Sequence, residues 1–101
     1  MPADVIEFPS EHPKTGLDAD QINAVKACAY ELIERGIITD IEHLQTNHGA
    51  SYLWLGRDGG DGWVASRECG AYVLYKPDHL PPLISSPNFD ALIEVLRGLT
   101  R

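Results

Sequence analysis

Cysteine is scarce in this chain of 101 residues, with two in all, and methionine is scarcer still, with one. Two thiols cannot build the disulfide framework on which small secreted scaffolds depend. Basic residues are also few. Eight lysines and arginines face fifteen aspartates and glutamates, a formal net charge of −7. Non-specific attraction to nucleic acid or to an anionic membrane surface is therefore disfavoured. No apolar run approaches the roughly 20 residues that a membrane-spanning helix needs. The opening Met1-Pro2-Ala3-Asp4 has neither the positive n-region nor the apolar h-region of an export signal. Residence in the cytoplasm, with both thiols reduced, is the expectation.

What is present is an ordinary globular composition, 44% hydrophobic and 23% charged. A chain of this length can bury roughly 60–70% of its unfolded surface, enough for one core without metal or disulfide staples. The charge is uneven. Residues 1–45 hold nine acids (Asp4, Glu7, Glu11, Asp18, Asp20, Glu31, Glu34, Asp40, Glu42) against three bases (Lys14, Lys26, Arg35), a balance of −6. Residues 46–101 hold six acids and five bases. An acidic helical side carrying Glu31 and Glu34 keeps such a protein in solution and also suits a basic partner surface.

Residues 1–16 contain Pro2, Pro9, Pro13 and Gly16 among charges without periodicity, which reads as an extended or flexible arm. Val5-Ile6-Glu7-Phe8 is its one apolar stretch, with Phe8 an anchor for a sheet edge or the core. Residues 17–101 form the single domain. Asp18 is a good N-cap, Gln21 stands where a capping-box partner belongs, and Leu17 and Ile22 form a hydrophobic staple. Ile22, Val25, Ala29, Leu32 and Ile33 recur at three- and four-residue spacing, and Gly36 closes the helix after Arg35. The spacing predicts a helix over 18–35, with Cys28 inside it. Residues 37–47 are ambiguous. Ile38, Ile41 and Leu44 could line a short helix, whereas alternation of Thr39, Ile41 and His43 before an Asn47-His48-Gly49 turn favours a strand.

Residues 51–55, 63–68 and 71–76 read as strands separated by the glycine-bearing turns 56–62 and 69–70. Pro77, Pro81, Pro82 and Pro87 place residues 77–87 in a surface loop, with Leu80-Pro81-Pro82-Leu83 favoured as a rigid connector over a polyproline segment for partner recognition. Ser86 then caps a final helix that has Pro87 at its first position and an apolar stripe of Phe89, Leu92, Ile93, Leu96 and Leu99. The fold class expected is α+β, an antiparallel meander of three to four strands with an N-terminal and a C-terminal helix packed on one face. Leu53 and Leu55 point one way, Tyr52 and Trp54 the other. With the leucines and Val64 under the helices, the far face displays Tyr52, Trp54, Trp63 and Arg67. Exposed aromatics beside an arginine suit a protein interface. The competing assignment packs these aromatics on one another as cross-strand pairs.

Chemistry-bearing motifs are thin. His12, His43, His48 and His79 show no metal-ligand spacing with each other or with the cysteines. The run Arg57-Asp58-Gly59-Gly60-Asp61-Gly62 lacks the side-chain oxygens of a calcium loop and the ending of a phosphate loop, and reads as a hairpin turn needing positive φ. Ser51 follows Gly49-Ala50 without the second glycine of a nucleophile elbow. Cys69 beside Glu68, with His79 ten residues on, is the one candidate for a thiolate pair. The aromatic strands lack the basic groove of RNA-binding sheets. The expectation is a non-enzymatic protein-interaction module without cofactor or metal, acting as inhibitor, adaptor or regulator. Tyr52, Trp54, Trp63, Arg67, Glu31 and Glu34 are its contact residues. One version is a phage or mobile-element accessory protein whose carboxylates cover a partner's basic nucleic-acid-binding surface. The alternatives are a homodimer formed through the open sheet face or an edge strand, and a small ligand binder or enzyme using Cys69 and His79.

Overall fold

A computed structural model describes residues 15–57, 59–77 and 79–100, with the side chains of all of these except His79 and Leu80. Most of the expected arm, Val5-Ile6-Glu7-Phe8 included, lies outside the described residues. In chain order the elements are α1 (Ala19–Glu34), β1 (Asp40–Gln45), β2 (Ser51–Gly56), β3 (Gly62–Glu68), β4 (Ala71–Lys76), β5 (His79–Ser86) and α2 (Phe89–Arg97). The strands form one antiparallel sheet in sequence order, β1-β2-β3-β4-β5. Both helices lie on one face of it, and no described helix is long and apolar enough to cross a membrane.

Local chemistry accounts for α1. Asp18 accepts from the Gln21 amide, and the Gln21 side chain accepts in turn from the Asp18 amide, completing the capping box. At the other end Gly36, at φ +76°, donates to Ile33 while Ile37 donates to Leu32, the paired bonds of a Schellman motif. Arg35 serves the neighbouring helix instead of its own. Its guanidinium donates to the Arg97 and Leu99 carbonyls at 3.2 and 3.3 Å, satisfying acceptors that the end of α2 leaves open.

The sheet has five strands, one more than the upper end of the expected range. β1 forms as favoured, turning at residues 46–50 with Gly49 at φ +83°. The surplus is β5, which occupies most of the proline-rich stretch expected to be a loop. Two circumstances admit its prolines. β5 is an edge strand, paired only with β4, and Pro81 and Pro82 fall where the register shifts between Leu74 and Lys76. A missing amide donor is tolerated at an edge or a bulge and not in a central strand. Ser86 is still paired with Tyr72, so α2 cannot start there. Its N-cap is Asn88, two residues later, which accepts from the Asp90 amide while Ser86 Oγ accepts from the Asn88 amide.

The core lies between helices and sheet. Val25, Ala29 and Leu32 of α1 and Leu92 and Leu96 of α2 meet Leu53, Leu55, Ala65 and Leu74, all at 0–1% exposure. The first described residues are built into the sheet. Gly16 donates to the Arg67 carbonyl at 2.7 Å and Leu17 to the Ser51 carbonyl at 2.9 Å, so this segment lies between the start of β2 and the end of β3. Gly16 holds φ +96°, and a Cβ there would stand 3.0 Å from Ala50 backbone.

Candidate functional site

Strand register decides which side chains share a face. Leu55 pairs with Trp63, Leu53 with Ala65 and Ala65 with Leu74, so these residues point together toward the helices. Trp54 pairs with Val64 and Val64 with Tyr75, placing those three on the opposite side. The expected grouping is therefore wrong for three residues. Val64 belongs to the open face, while Trp63 and Arg67 belong to the covered one. The cause is a shift of one residue in pairing, which sends every side chain of a strand to the other face. Tyr52 and Trp54 stand on the open face as expected.

Trp63 is 3% exposed and part of the core. The Arg57 guanidinium lies 5.3 Å and the Lys76 ammonium 5.5 Å from its ring. Asp61 joins the two cations, at 3.8 Å from Arg57 and 3.3 Å from Lys76. A hydrogen bond from the Gly62 amide, with help from Lys76 and Arg57, holds the Asp61 carboxyl below its ordinary range against the opposing effect of desolvation. Arg67 is likewise spent inside the protein. Its Nε donates to the Gly16 carbonyl at 2.8 Å and its terminal nitrogen to the Tyr72 hydroxyl at 3.1 Å. Gln21 donates to the same hydroxyl, and the Tyr72 ring meets Phe89 edge-on at 5.2 Å. Both residues tie the fold together.

The open face has its own order. The Trp54 indole lies across two bare backbones, for a Cβ on Gly56 would stand 2.8 Å from its Nε1 and one on Gly62 2.9 Å from its six-membered ring. Beside it Val64, Ser66 and Val73 form a floor at 7–8% exposure, and Tyr52 and Tyr75 stand half-buried around it. A groove of about 590 Å³ runs over this floor, lined by Tyr52, Val64, Ser66, Glu68, Tyr75 and the threonines at 15 and 46. Burial first, and then the nearby Glu68 and Tyr52, push the Tyr75 phenol above its usual pKa. Charged residues at the described open-face positions are Asp40, Glu42 and Glu68, all carboxylates. No described element packs against this face.

Sequence reasoning missed Tyr75, Ser66 and Glu42 as members of the face. Their signal was parity: once Trp54 is outward, the register carries Val64, Tyr75 and Glu42 with it. Glu31 and Glu34 are exposed on α1, away from the open sheet face, beside Tyr30 at 59% exposure. Cys69 and His79 are not brought together. Cys69 turns the β3–β4 hairpin at φ +52°, whereas the His79 backbone pairs with Lys76 at the far end of β4, about 20 Å away at strand rise. Both cysteines are free, Cys28 buried and Cys69 exposed. No cluster of three or more histidine, cysteine or carboxylate side chains able to hold a metal forms among the described residues. Family models, curated proteins and solved structures were each compared with the chain, and none matches.

Proposed function

We propose that this protein is a non-enzymatic interaction module that docks on a partner protein through its open sheet face and thereby inhibits or regulates it. The observation that carries the reading is the grouping of Tyr52, Trp54 and Tyr75 around a valine and serine floor that no described element covers. Aromatic residues on a rigid sheet supply large contact area with little entropy to lose, the property of interface hot spots. The carboxylates beside them favour a basic partner surface, and a net charge of −7 speeds such an encounter. An accessory protein that covers a partner's nucleic-acid-binding groove is one role consistent with this chemistry. Trp63 and Arg67 leave the set of contact residues because the fold uses them, and Tyr75 enters it.

Glu31 and Glu34 offer a second, purely electrostatic surface, and one experiment separates the two. The full chain, its Tyr52→Ala/Trp54→Ala variant and its Glu31→Lys/Glu34→Lys variant are immobilised in turn to capture protein from lysate of the source organism. Docking through the sheet face predicts one captured protein lost with the aromatic variant and kept with the charge-reversed one. The reverse pattern moves the interface to α1, and capture by all three equally removes both surfaces. Sedimentation velocity addresses self-association. A sedimentation coefficient that rises with concentration and reverts on Trp54→Ala makes the same face a homodimer interface. The β5 edge suits strand pairing poorly, because Pro81 and Pro82 cannot donate.

A further inference from the structure

Ser66 is the buried polar residue of the described chain, at 7% exposure, and its hydroxyl has no hydrogen-bond partner among the described residues. It lies on the floor of the open-face groove, between the tyrosines and below Glu68. A buried hydroxyl left unpaired is unfavourable, and native proteins satisfy nearly all such groups. A ligand that brings hydrogen-bond donors to this floor would fill the acceptor side of this hydroxyl. The surroundings define that ligand further. Two tyrosine rings offer π faces and neutral hydroxyl acceptors, Glu68 offers a carboxylate at the rim, and no cation stands at a described open-face position to compete.

We infer that the groove is a receptor for an arginine side chain presented by the partner protein, its guanidinium seated over Ser66 between Tyr52 and Tyr75 and paired with Glu68. This rests on the docking reading above and names the partner's chemistry at the same face. A guanidinium is planar, carries five donors and no acceptor, stacks on aromatic rings and is weakly hydrated for a cation. It can engage the serine oxygen and the carboxylate at once while its faces lie against the rings, which the compact ammonium of lysine cannot do.

The test uses the isotope-labelled full chain and the tripeptide acetyl-Gly-Arg-Gly-amide, with the citrulline tripeptide, an uncharged near-isostere, as control. Saturable NMR shifts centred on the Tyr52, Ser66, Glu68 and Tyr75 amides are expected with the arginine peptide and absent with citrulline. Glu68→Gln and Ser66→Ala should each weaken binding by about tenfold, the loss of one hydrogen bond to a charged group. Equal response to citrulline, shifts centred elsewhere, or indifference to Glu68→Gln overturns the inference. So do nuclear Overhauser contacts in the free protein from Ser66 to Val5-Ile6-Glu7-Phe8 or to a second copy, since the groove would then already be filled. The capture experiment keeps the two proposals apart. If Tyr52→Ala/Trp54→Ala abolishes capture while the arginine peptide fails to bind, the docking face stands and the arginine receptor falls. If capture persists in that variant, both fall.

Discussion

Ser66 and Trp63 show how differently two neighbouring strand residues are used. The Ser66 hydroxyl is buried without a partner, so replacing it with a methyl removes a desolvated polar group and leaves almost the same shape. Ser66→Ala is expected to stabilise the free protein by about 1 kcal/mol and raise its melting temperature by about 4 °C. A melting temperature that falls by a similar amount in calorimetry would mean the hydroxyl is satisfied in solution. Trp63 is sealed in the core beneath two cations, so Trp63→Ala should cost about 3–5 kcal/mol in a urea titration. Trp54 is half-exposed, and Trp54→Ala should cost under half as much. Equal losses would contradict the assignment of the two rings to opposite faces. From the sequence alone the pair could not be told apart, because both are tryptophans in apolar runs flanked by glycine.

At the level of elements, the β2–β3 hairpin governs the site. Gly56 and Gly62 face each other across it, and the absence of side chains lets the Trp54 ring lie down over both strands. A Cβ on Gly62 would meet the Leu55 backbone carbonyl as well as the indole, and backbone cannot move aside as a side-chain end can. Gly62→Ala is expected to cost about 1–3 kcal/mol by chemical denaturation. Gly98→Ala, where the nearest atoms stand at 3.6 and 3.7 Å and φ is −90°, should be close to neutral. Similar losses at both positions would show that the close approach has no energetic weight. The helices were legible because their signals are local: the capping box at Asp18, the left-handed glycine after Arg35 and the stripe between them all lie within one stretch of chain. β5 was not legible, because what admits Pro81 and Pro82 is the strand's position at the sheet's edge, a property of the assembled sheet.

For the molecule as a whole, charge placement sets the response to acid. The Asp61 carboxyl titrates below its ordinary range in the folded state, so the folded protein binds its proton less readily than the unfolded chain does. Its contribution to stability is complete above the unfolded aspartate value of about 3.9 and disappears as pH falls through the lower folded value. Asp61→Asn should therefore be less stable than the parent at neutral pH, with the difference shrinking below about pH 4. Thermal melts of both proteins from pH 2 to 7 check this, and a difference independent of pH would show that the Asp61 charge contributes nothing to the loss. Net charge was readable from composition, but its placement was not. Arg57, Arg67 and Lys76 all lie in the second half of the sequence, yet the fold turns all three toward partners within the chain and leaves carboxylates along the open side.

The amino-acid order alone determined that the chain is α+β, where α1 begins and ends, and that a meander of short strands follows it. Each of these depends on interactions within a few residues, which periodicity and capping chemistry express directly. The tertiary structure decided which face of each strand meets the helices. Residues 51–55 and 71–75 are apolar or aromatic on both parities apart from Ser51, and burial alone therefore ranks neither face first. Pairing of Leu55 with Trp63 broke that tie. One residue of register separates a surface of Trp63 and Arg67 from a groove floored by Val64 and Ser66, because strand side chains alternate with a period of two.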